Sequence, residues 1–329
     1  MNAHAFFLTG LALGLSVLPF ACKDPQDPPV EPLPVGVWEN AGNFPADARY
    51  TCVVATLNGK AYIGTGDQSQ QDFQCYDPAS DSWQSIADIP VGRTAASAFT
   101  ANGKIYVVGG RATGGANLND LWEYDPANNT WTQKTDFPGG LRYDGIALTL
   151  NGKGYYGTGW KDNGVGALQS QYKDWWAYDP ASDQWQRRAD FPGGPASLLS
   201  GVALGDKGYV GISGPGPNPG QHWWQYDPLT DKWAQRHNYP GTARYGCGAF
   251  ALGEKIYVGG GTTGLGTGQA PLLDWWEYNP QSDQWAAASA QTDQRMLGAA
   301  FAIGDYGYWG LGFHDFQGRL GTFSRFKVE

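Results

Sequence analysis

Short apolar segments alternate with polar turns along most of this chain. One apolar segment covers residues 246–252 and is followed by the turn Gly253-Glu254-Lys255. Another covers residues 105–108 and ends in Gly109-Gly110. Short segments of this kind, bounded by glycine, proline or asparagine, indicate β-strands joined by tight turns. The pattern therefore predicts an all-β chain.

The same pattern recurs six times, and each copy contains a tryptophan near its end. Successive tryptophans are 45 to 54 residues apart, and a proline lies seven residues after each of the first five. The six tryptophans are Trp38, Trp83, Trp131, Trp185, Trp233 and Trp285. A period of about 40–50 residues is typical of propellers and other repeat arrays, so we do not expect a single-core enzyme domain.

Each copy predicts four antiparallel strands. The first two strands are joined by turns such as Asn58-Gly59-Lys60, in which asparagine and glycine tolerate the positive φ angles of a two-residue hairpin. The second strand carries a tyrosine and ends in glycine. The third strand ends in a step such as Tyr124-Asp125-Pro126, because proline lacks an N–H group and cannot continue a strand. The repeat tryptophan then lies in the fourth strand.

The double glycine, the Tyr-Asp-Pro step and the spaced tryptophan together resemble the kelch repeat, in the same order in successive copies. The resemblance covers residues 35–329. The kelch family implies a β-propeller, here with six blades of four antiparallel strands. In such a fold aromatic residues fill the wide space between blades, which accounts for an aromatic content of 14% without an active site.

The two ends of the repeat region complement each other. After Trp285 the last copy supplies only three strands and ends at residues 322–327, whereas residues 35–45 form a fourth strand without a copy of its own. Pairing the two would complete the sixth blade and would leave no open sheet edge. We therefore expect the N-terminal strand to close the last blade.

The first 34 residues differ from the repeats and predict export. Residues 5–20 are apolar and uncharged, and Cys22 follows, which resembles a bacterial lipoprotein signal. We expect a signal peptide over residues 1–21, a lipidated Cys22 with a proline-rich spacer over residues 22–34, and the propeller over residues 35–329. A plain secretion signal is the alternative. The lipoprotein interpretation places the protein in the bacterial cell envelope, at the outer membrane, facing the periplasm or the exterior.

Net charge and cysteine spacing argue against a nucleic-acid partner, disulfides and a zinc site. The formal net charge is −9, which argues against nucleic acid as a partner because phosphate binding needs a basic face. The spacing of Cys52, Cys75 and Cys247 along the predicted strands does not suit disulfides, so we expect free, buried thiols. No cysteine and histidine spacing suggests zinc, and we expect neither a metal nor a cofactor.

The predicted first strand of each copy begins at the face of the propeller that carries the loops of variable length. Variable loops on a rigid scaffold are common binding sites. Five of the six starts carry arginine, which suits carboxylate ligands, and three of these arginines precede a tyrosine, which offers a surface for a sugar or a peptide. Together with a tryptophan of the third loop, the candidate binding residues are Arg49, Tyr50, Arg93, Arg142, Tyr143, Arg244, Tyr245, Arg295 and Trp160.

The arginines have a structural alternative, because arginine at this position of a kelch repeat can bond neighbouring loops. Lys161 and Asp162 are further loop candidates, and Asp144 is the acidic residue to test in an enzyme. We expect His222 and His314 to be solvated loop residues.

The leading hypothesis is a non-catalytic, envelope-anchored binding module that recognises a protein or a glycan, including an anionic one, through the arginine- and tyrosine-lined face. It would be a monomer or a subunit of an envelope complex, and only its lipid anchor would contact the membrane. A sugar mutarotase or epimerase is the alternative, because residues 191–195 resemble the repeats of N-acetylneuraminate epimerase. A structural role in an envelope assembly is the second alternative. The galactose oxidase propeller is similar in its blades, but this chain has no set of residues that matches its copper ligands.

Overall fold

The structure is a computed structural model, and it describes residues 35–161, 170–213, 220–264, 268 and 270–328. The predicted signal peptide, Cys22 and the spacer lie outside the described residues, as does Asp162. The chain divides into the units Met1–Leu33 and Pro34–Glu329, and everything below concerns the second unit.

The regular structure of the described residues consists of β-strands, which confirms the all-β prediction. No helix in this part of the chain is long and apolar enough to cross a membrane. Numbered in chain order, the strands are β1 (Val37–Asn43), β2 (Val53–Leu57), β3 (Lys60–Gly64), β4 (Phe73–Asp77), β5 (Ser82–Ile86), β6 (Arg93–Thr94), β7 (Ser97–Ala101), β8 (Lys104–Val108), β9 (Arg111–Ala112), β10 (Leu121–Asp125), β11 (Thr130–Lys134), β12 (Arg142–Tyr143), β13 (Ile146–Leu150), β14 (Lys153–Gly157), β15 (Trp160–Lys161), β16 (Ser170–Gln171), β17 (Trp175–Asp179), β18 (Gln184–Arg188), β19 (Ser200–Leu204), β20 (Lys207–Gly211), β21 (Trp223–Asp227), β22 (Lys232–Arg236), β23 (Gly248–Leu252), β24 (Lys255–Gly259), β25 (Trp275–Asn279), β26 (Gln284–Ala288), β27 (Ala299–Ile303), β28 (Tyr306–Gly310), β29 (Phe313–His314), β30 (Gly318–Arg319) and β31 (Thr322–Lys327).

Six antiparallel four-stranded sheets account for most of these strands, which confirms the predicted four-stranded unit. Sheet 1 contains β2, β3, β4 and β5; sheet 2 contains β7, β8, β10 and β11; sheet 3 contains β13, β14, β17 and β18. Sheet 4 contains β19 to β22, sheet 5 contains β23 to β26, and sheet 6 has the order β1-β31-β28-β27. The short strands β6, β9, β12, β15, β16, β29 and β30 form small ribbons in the loops.

The tight turns between first and second strands have the backbone that their sequences require. Asn58 and Gly59 have φ angles of 52° and 73°, and Asn151 and Gly152 have angles of 52° and 73°. Positive φ at both central residues is the geometry of a type I′ hairpin, whose twist matches the flanking strands. The Asn-Gly turns of the first three copies therefore fix the register of their hairpins.

The N-terminal strand β1 pairs with β31 of the last copy. Trp38 lies opposite Phe326, and Asn40 lies opposite Ser324. The register shifts between Asn40 and Asn43, so the strand bulges there. Sheet 6 thus combines residues from both ends of the repeat region.

The first strands of the six sheets surround one cavity. Contacts between neighbouring first strands run from β2 to β7, β13, β19, β23, β27 and back to β2. All six strands line the cavity, whose volume is about 280 Å³. Aromatic side chains fill the spaces between sheets, and Trp175, Trp223 and Trp275 are fully buried there. This location agrees with the packing role that aromatic residues have between stacked sheets.

Candidate functional site

The loops that follow the second strands lie around one end of the central cavity, and the candidate arginines lie at their base. The side chains of all five arginines are 0–1% exposed. An isolated guanidinium group is costly to bury, so each must be paired within the chain.

Arg142 shows how these arginines are paired. Its Nη1 donates to the carbonyl oxygen of Thr158 at 3.0 Å and to Oδ1 of Asp174 at 2.6 Å, while Nη2 donates to Oδ2 of Asp174 at 2.9 Å. Nε donates to the carbonyl oxygen of Gly140. A planar guanidinium group matches a carboxylate in this two-bond arrangement. The pair ties β12, which precedes β13, to the residue that precedes β17.

Three other arginines repeat this arrangement within their own sheets. The pairs are Arg49 with Asp72, Arg93 with Asp120, and Arg244 with Asp274, at 2.6 to 2.9 Å. Burial would raise the pKa of Asp274, but the hydrogen bond and the positive charge of Arg244, together with a hydrogen bond from Trp276, outweigh burial and lower the pKa. In all four pairs the aspartate oxygens therefore occupy the guanidinium donors that a ligand would need.

The remaining two copies show why the aspartate matters. Arg295 has no aspartate before β31, and it donates instead to the carbonyl oxygen and the hydroxyl group of Thr322. Burial lowers the pKa of Arg295 to about 10, against the opposing effect of Asp293. In the fourth copy, Ala196 replaces the arginine and His222 stands before β21. The arginine and the aspartate thus occur together or are both absent in five copies of six.

These contacts favour the structural interpretation of the arginines over a ligand-facing one. The signal was present in the sequence, because Asp72, Asp120, Asp174 and Asp274 each directly precede a third strand in a copy that carries arginine. Reasoning on one copy at a time missed this pairing.

The tyrosines and Trp160 lie closer to solvent than the arginines. Tyr50, Tyr143, Tyr245 and Trp160 are half-buried. Tyr143 pairs with Trp160 across β12 and β15, and the guanidinium carbon of Arg111 lies 5.4 Å from the centre of the Tyr143 ring. This brings Arg111, from a loop of the second copy, against Tyr143 of the third copy.

A second aromatic ring extends this surface. Tyr172 covers Arg142, whose guanidinium carbon is 3.8 Å from the ring centre, and Lys161 Nζ is 5.9 Å from the same ring. We call Arg111, Tyr143, Trp160, Lys161 and Tyr172 the aromatic–cationic patch. Within the described ranges, neither Arg111 nor Lys161 forms an ion pair with a carboxylate. The patch therefore presents positive charge beside aromatic faces.

Among the described residues that line the mouth of the central cavity, Asp144 carries the one carboxyl group. The residues two positions after each arginine line a cavity of about 130 Å³ there, and the equivalent residues in the other copies carry no charge. Burial raises the pKa of Asp144 from 3.8 to about 7. A carboxyl group with this pKa can donate or accept a proton near neutral pH.

Two thiols share this cavity. Cys52 and Cys247 are free and half-buried, whereas Cys75 is free and fully buried. Burial raises the pKa of Cys52 to about 12 and raises that of Cys247. A thiol with a raised pKa is a poor nucleophile, so these cysteines contribute packing and polarity.

The prediction that His314 is solvated was wrong. Its side chain is 5% exposed, since Nε2 lies 3.3 Å from Oε1 of Gln294 and Nδ1 accepts the N–H group of Phe316. His222 lies near Gln235 and Asn238 at the outer edge of sheet 4.

Comparisons with known proteins agree with the repeat pattern. Residues 37–210 match the KLHDC2/KLHL20/DRC7 Kelch-repeats domain, and residues 243–289 match the Kelch motif. Among solved structures, the chain is similar to one described as "Structure of YjhT", with a TM-score of 0.73 and 19% sequence identity. The match covers 85% of this chain and 94% of that chain. At this identity the likeness concerns the fold alone. No curated protein matches the chain significantly. Because the domain match spans more than half of its length, this chain belongs to the family of kelch-repeat proteins.

Proposed function

We propose that the six sheets are the blades of a closed propeller and that β1 completes the sixth blade. The cyclic contacts of the first strands and the pairing of β1 with β31 support closure. Backbone hydrogen bonds around the cavity mouth support it as well. Ala95 donates to Thr51, Thr51 donates to Leu297, and Leu297 donates to Gly246, at 2.8 to 3.1 Å. The bond from Thr51 to Leu297 joins the first copy to the last.

On this scaffold, the protein acts as a non-catalytic binding module that recognises a protein or a glycan through its loop face. The observation that carries this proposal is the aromatic–cationic patch. Tyrosine and tryptophan provide rigid contact area that loses little entropy on binding, and arginine and tryptophan are enriched where binding energy is concentrated.

The buried arginines and the patch then have separate roles. Arg142 is paired with Asp174 beneath Tyr172, so it holds the loop in place rather than meeting a ligand. Arg111 and Lys161 supply the accessible positive charge. An anionic ligand would be drawn to them, because charges of opposite sign speed association and select partners.

Variants of the patch test this function. Wild type, Trp160→Ala with Arg111→Ala, and Leu229→Ser would be used for capture from solubilised envelope fractions and for a glycan array. Leu229 is 77% exposed in the turn between β21 and β22, on the opposite face, and serves as the control. We expect one ligand to be retained by wild type and by Leu229→Ser and to be lost by the patch variant. Retention of that ligand by a folded patch variant would contradict the proposal.

Asp144 supports a second candidate, the sugar mutarotase. Mutarotation needs a group that can both donate and accept a proton, and a carboxyl group with a pKa of about 7 in a cavity meets that requirement. The test is the rate at which a freshly dissolved sugar reaches its anomeric equilibrium, followed by NMR. Acceleration by wild type that Asp144→Asn abolishes would favour the enzyme, and no acceleration by wild type would remove it.

We also propose where the protein is located in the cell. With Cys22 lipidated after removal of residues 1–21, residues 22–34 would tether the propeller to the outer membrane, alone or within an envelope complex. Labelling with a radioactive fatty acid, compared between wild type and Cys22→Ala, tests the anchor.

A further inference from the structure

Neighbouring sheets are joined by a recurring pair of hydrogen bonds, which we call the clasp. In the junction of sheets 2 and 3, Thr135 follows the outer strand β11. Its N–H group donates to Oδ1 of Asp183 at 3.0 Å, and its carbonyl oxygen accepts from Nε1 of Trp185 at 3.1 Å. The clasp thus holds both polar groups of one extended residue.

The same clasp recurs at three other junctions. Asn129 and Trp131 hold Ala87, Asp231 and Trp233 hold Ala189, and Asp283 and Trp285 hold His237, with distances of 2.8 to 3.0 Å. The side chains of the held residues differ in size and polarity. The clasp therefore recognises backbone rather than side chain.

The junction of sheet 5 with sheet 6 uses a variant of this arrangement. Trp38 Nε1 donates to the carbonyl oxygen of Ser289 at 2.9 Å, and the N–H group of Ser289 donates to the carbonyl oxygen of Val35 at 3.0 Å. A backbone oxygen here replaces the carboxylate, because β31 and β1 come from opposite ends of the repeat region and no tight turn joins them.

At the junction of sheet 6 with sheet 1, the clasp side chains are present but hold no residue of the described chain. They are Asp81 and Trp83, and the equivalent position in β1 is Gly42. The N–H group of Gly42 donates instead to Oδ1 of Asn40 at 2.7 Å. This residue lies where β1 bulges, between Asn40 and Asn43, so its N–H group is bonded within the bulge and not to Asp81.

The open clasp has the same geometry as the filled ones. Asp81 has a φ of 48°, against 52° to 55° for its four equivalents. Oδ1 of Asp81 accepts from the hydroxyl group of Tyr76 at 2.8 Å, as Asp183 accepts from Tyr178 at 2.7 Å. The rings of Tyr76 and Trp83 are 4.9 Å apart, and those of Tyr178 and Trp185 are 5.0 Å apart. The donor and the acceptor are therefore held in the binding arrangement.

A cavity of about 280 Å³ lies at this open clasp. Its lining includes Asn40, Asn43, Asp81, Trp83 and Arg325. Phe44 packs against Trp83 at 5.3 Å, as Phe137 packs against Trp185 at 5.0 Å. The junction of sheets 6 and 1 thus has the same phenylalanine–tryptophan contact as the junction of sheets 2 and 3, and the two junctions differ at the clasp.

We propose that the open clasp binds one extended residue of another polypeptide, whose N–H group donates to Asp81 Oδ1 and whose carbonyl oxygen accepts from Trp83 Nε1. Proline is excluded at that position because it lacks an N–H group. The site is at the junction of sheets and does not depend on the function proposed for the loop face.

A peptide copied from the chain itself is a suitable probe. The blocked tetrapeptide with the sequence of residues 133–136 contains Thr135, which the filled clasp holds, and it omits Phe137, whose place Phe44 already takes. Binding would be followed by NMR of indole N–H groups labelled with ¹⁵N, with the Trp83 signal assigned from Trp83→Phe. We expect a saturable shift of the Trp83 signal at millimolar peptide.

Two variants and one modified peptide make the test specific. Asp81→Asn should bind within about twofold of wild type, because Asn129 performs the same role in sheet 2, whereas Asp81→Ala should bind at least about tenfold more weakly. A peptide methylated on the threonine nitrogen should not bind. No shift of the Trp83 signal, or equal shifts with Asp81→Ala, would overturn the proposal. Melting curves of Asp81→Ala and Asp81→Asn would show that both variants fold.

Discussion

The third sheet and the first sheet are built from equivalent strands and turns, yet equivalent residues in the two sheets have different contacts. At the junction before sheet 3, Asp183 and Trp185 hold Thr135, whereas before sheet 1 Asp81 and Trp83 face a cavity. The partner of Arg142 is 12% exposed, and that of Arg49 is 33% exposed. The cavity mouth carries Asp144 in the third copy and Thr51 in the first.

The difference shows where a repeat protein can depart from its pattern. Sheet 1 meets strand β1, which comes from the other side of the repeat boundary and bulges at the clasp position. Sheet 3 meets an ordinary neighbour and is fully clasped. Departures from the repeat pattern lie at the junction of sheets 6 and 1, at the cavity mouth and in the loops, and these are the places where we propose binding or proton transfer.

Removing β1 should have the largest effect. A chain that begins at residue 46 would leave β31 with an unpaired edge and would expose the aromatic residues that pack against Trp38. We expect it to aggregate or to lose its cooperative thermal transition. The control is a chain that begins at residue 35. Equal melting temperatures for the two chains would refute closure through β1.

Breaking the buried arginine–aspartate pair should have the second-largest effect on stability, and the loss should differ between sheet 3 and sheet 1. In Arg142→Ala the carboxylate of Asp174 loses its partner and stays largely buried, so the free energy of unfolding should fall by about 3–5 kcal/mol. Arg49→Ala should cost about 2–3 kcal/mol, because the more exposed Asp72 can be hydrated. Urea denaturation of both variants measures the difference. Equal losses would show that exposure of the aspartate does not set the cost.

Removing the clasp acceptor should have a smaller effect. Asp183→Ala loses the bonds from Tyr178 and from Thr135, and we expect a cost of about 2–3 kcal/mol. Asp81→Ala loses only the bond from Tyr76 and should cost about 1 kcal/mol less. The same denaturation experiment applies. A larger loss for Asp81→Ala than for Asp183→Ala would contradict the open clasp.

The pH dependence of stability should show the smallest effect. The pKa of Asp144 rises from 3.8 to about 7 because the folded protein buries its carboxyl group. The folded state therefore binds this proton more tightly, and its stability should fall as the pH rises from about 4 to 7. Asp144→Asn should remove this decline and should be more stable than wild type at pH 8. Asp88→Asn, at an exposed position, should not change the profile.

Much of the fold was predictable, because its signals are local and repeated. Asn58-Gly59 specifies a hairpin, and Pro126 ends a strand, whatever the rest of the chain does. The pairing of β1 with β31 was also accessible, since one end lacked a strand that the other end supplied. The number of four-stranded sheets follows from the six tryptophans.

The candidate site was harder to predict. Arginine at the loop face suggested an anion site, but its partner lies 23 to 32 residues away and becomes visible only when copies are compared. The partial exposure of Arg111 and the burial of His314 depend on how individual loops fold, and those loops do not repeat. The bulge that opens the clasp arises from Gly42 and Asn40, which no other copy shares at these positions.

Hydrogen exchange of the tryptophan indole N–H groups tests the account most directly. Trp38, Trp131, Trp185, Trp233 and Trp285 donate to carbonyl oxygens of the neighbouring sheet, whereas Trp83 has no such bond to any residue that the structure describes. We predict that the Trp83 indole proton exchanges at least about 100-fold faster than the other five, because no structural opening has to precede its exchange. Protection of Trp83 equal to that of Trp185 would show that the clasp is filled at every junction and would contradict the account.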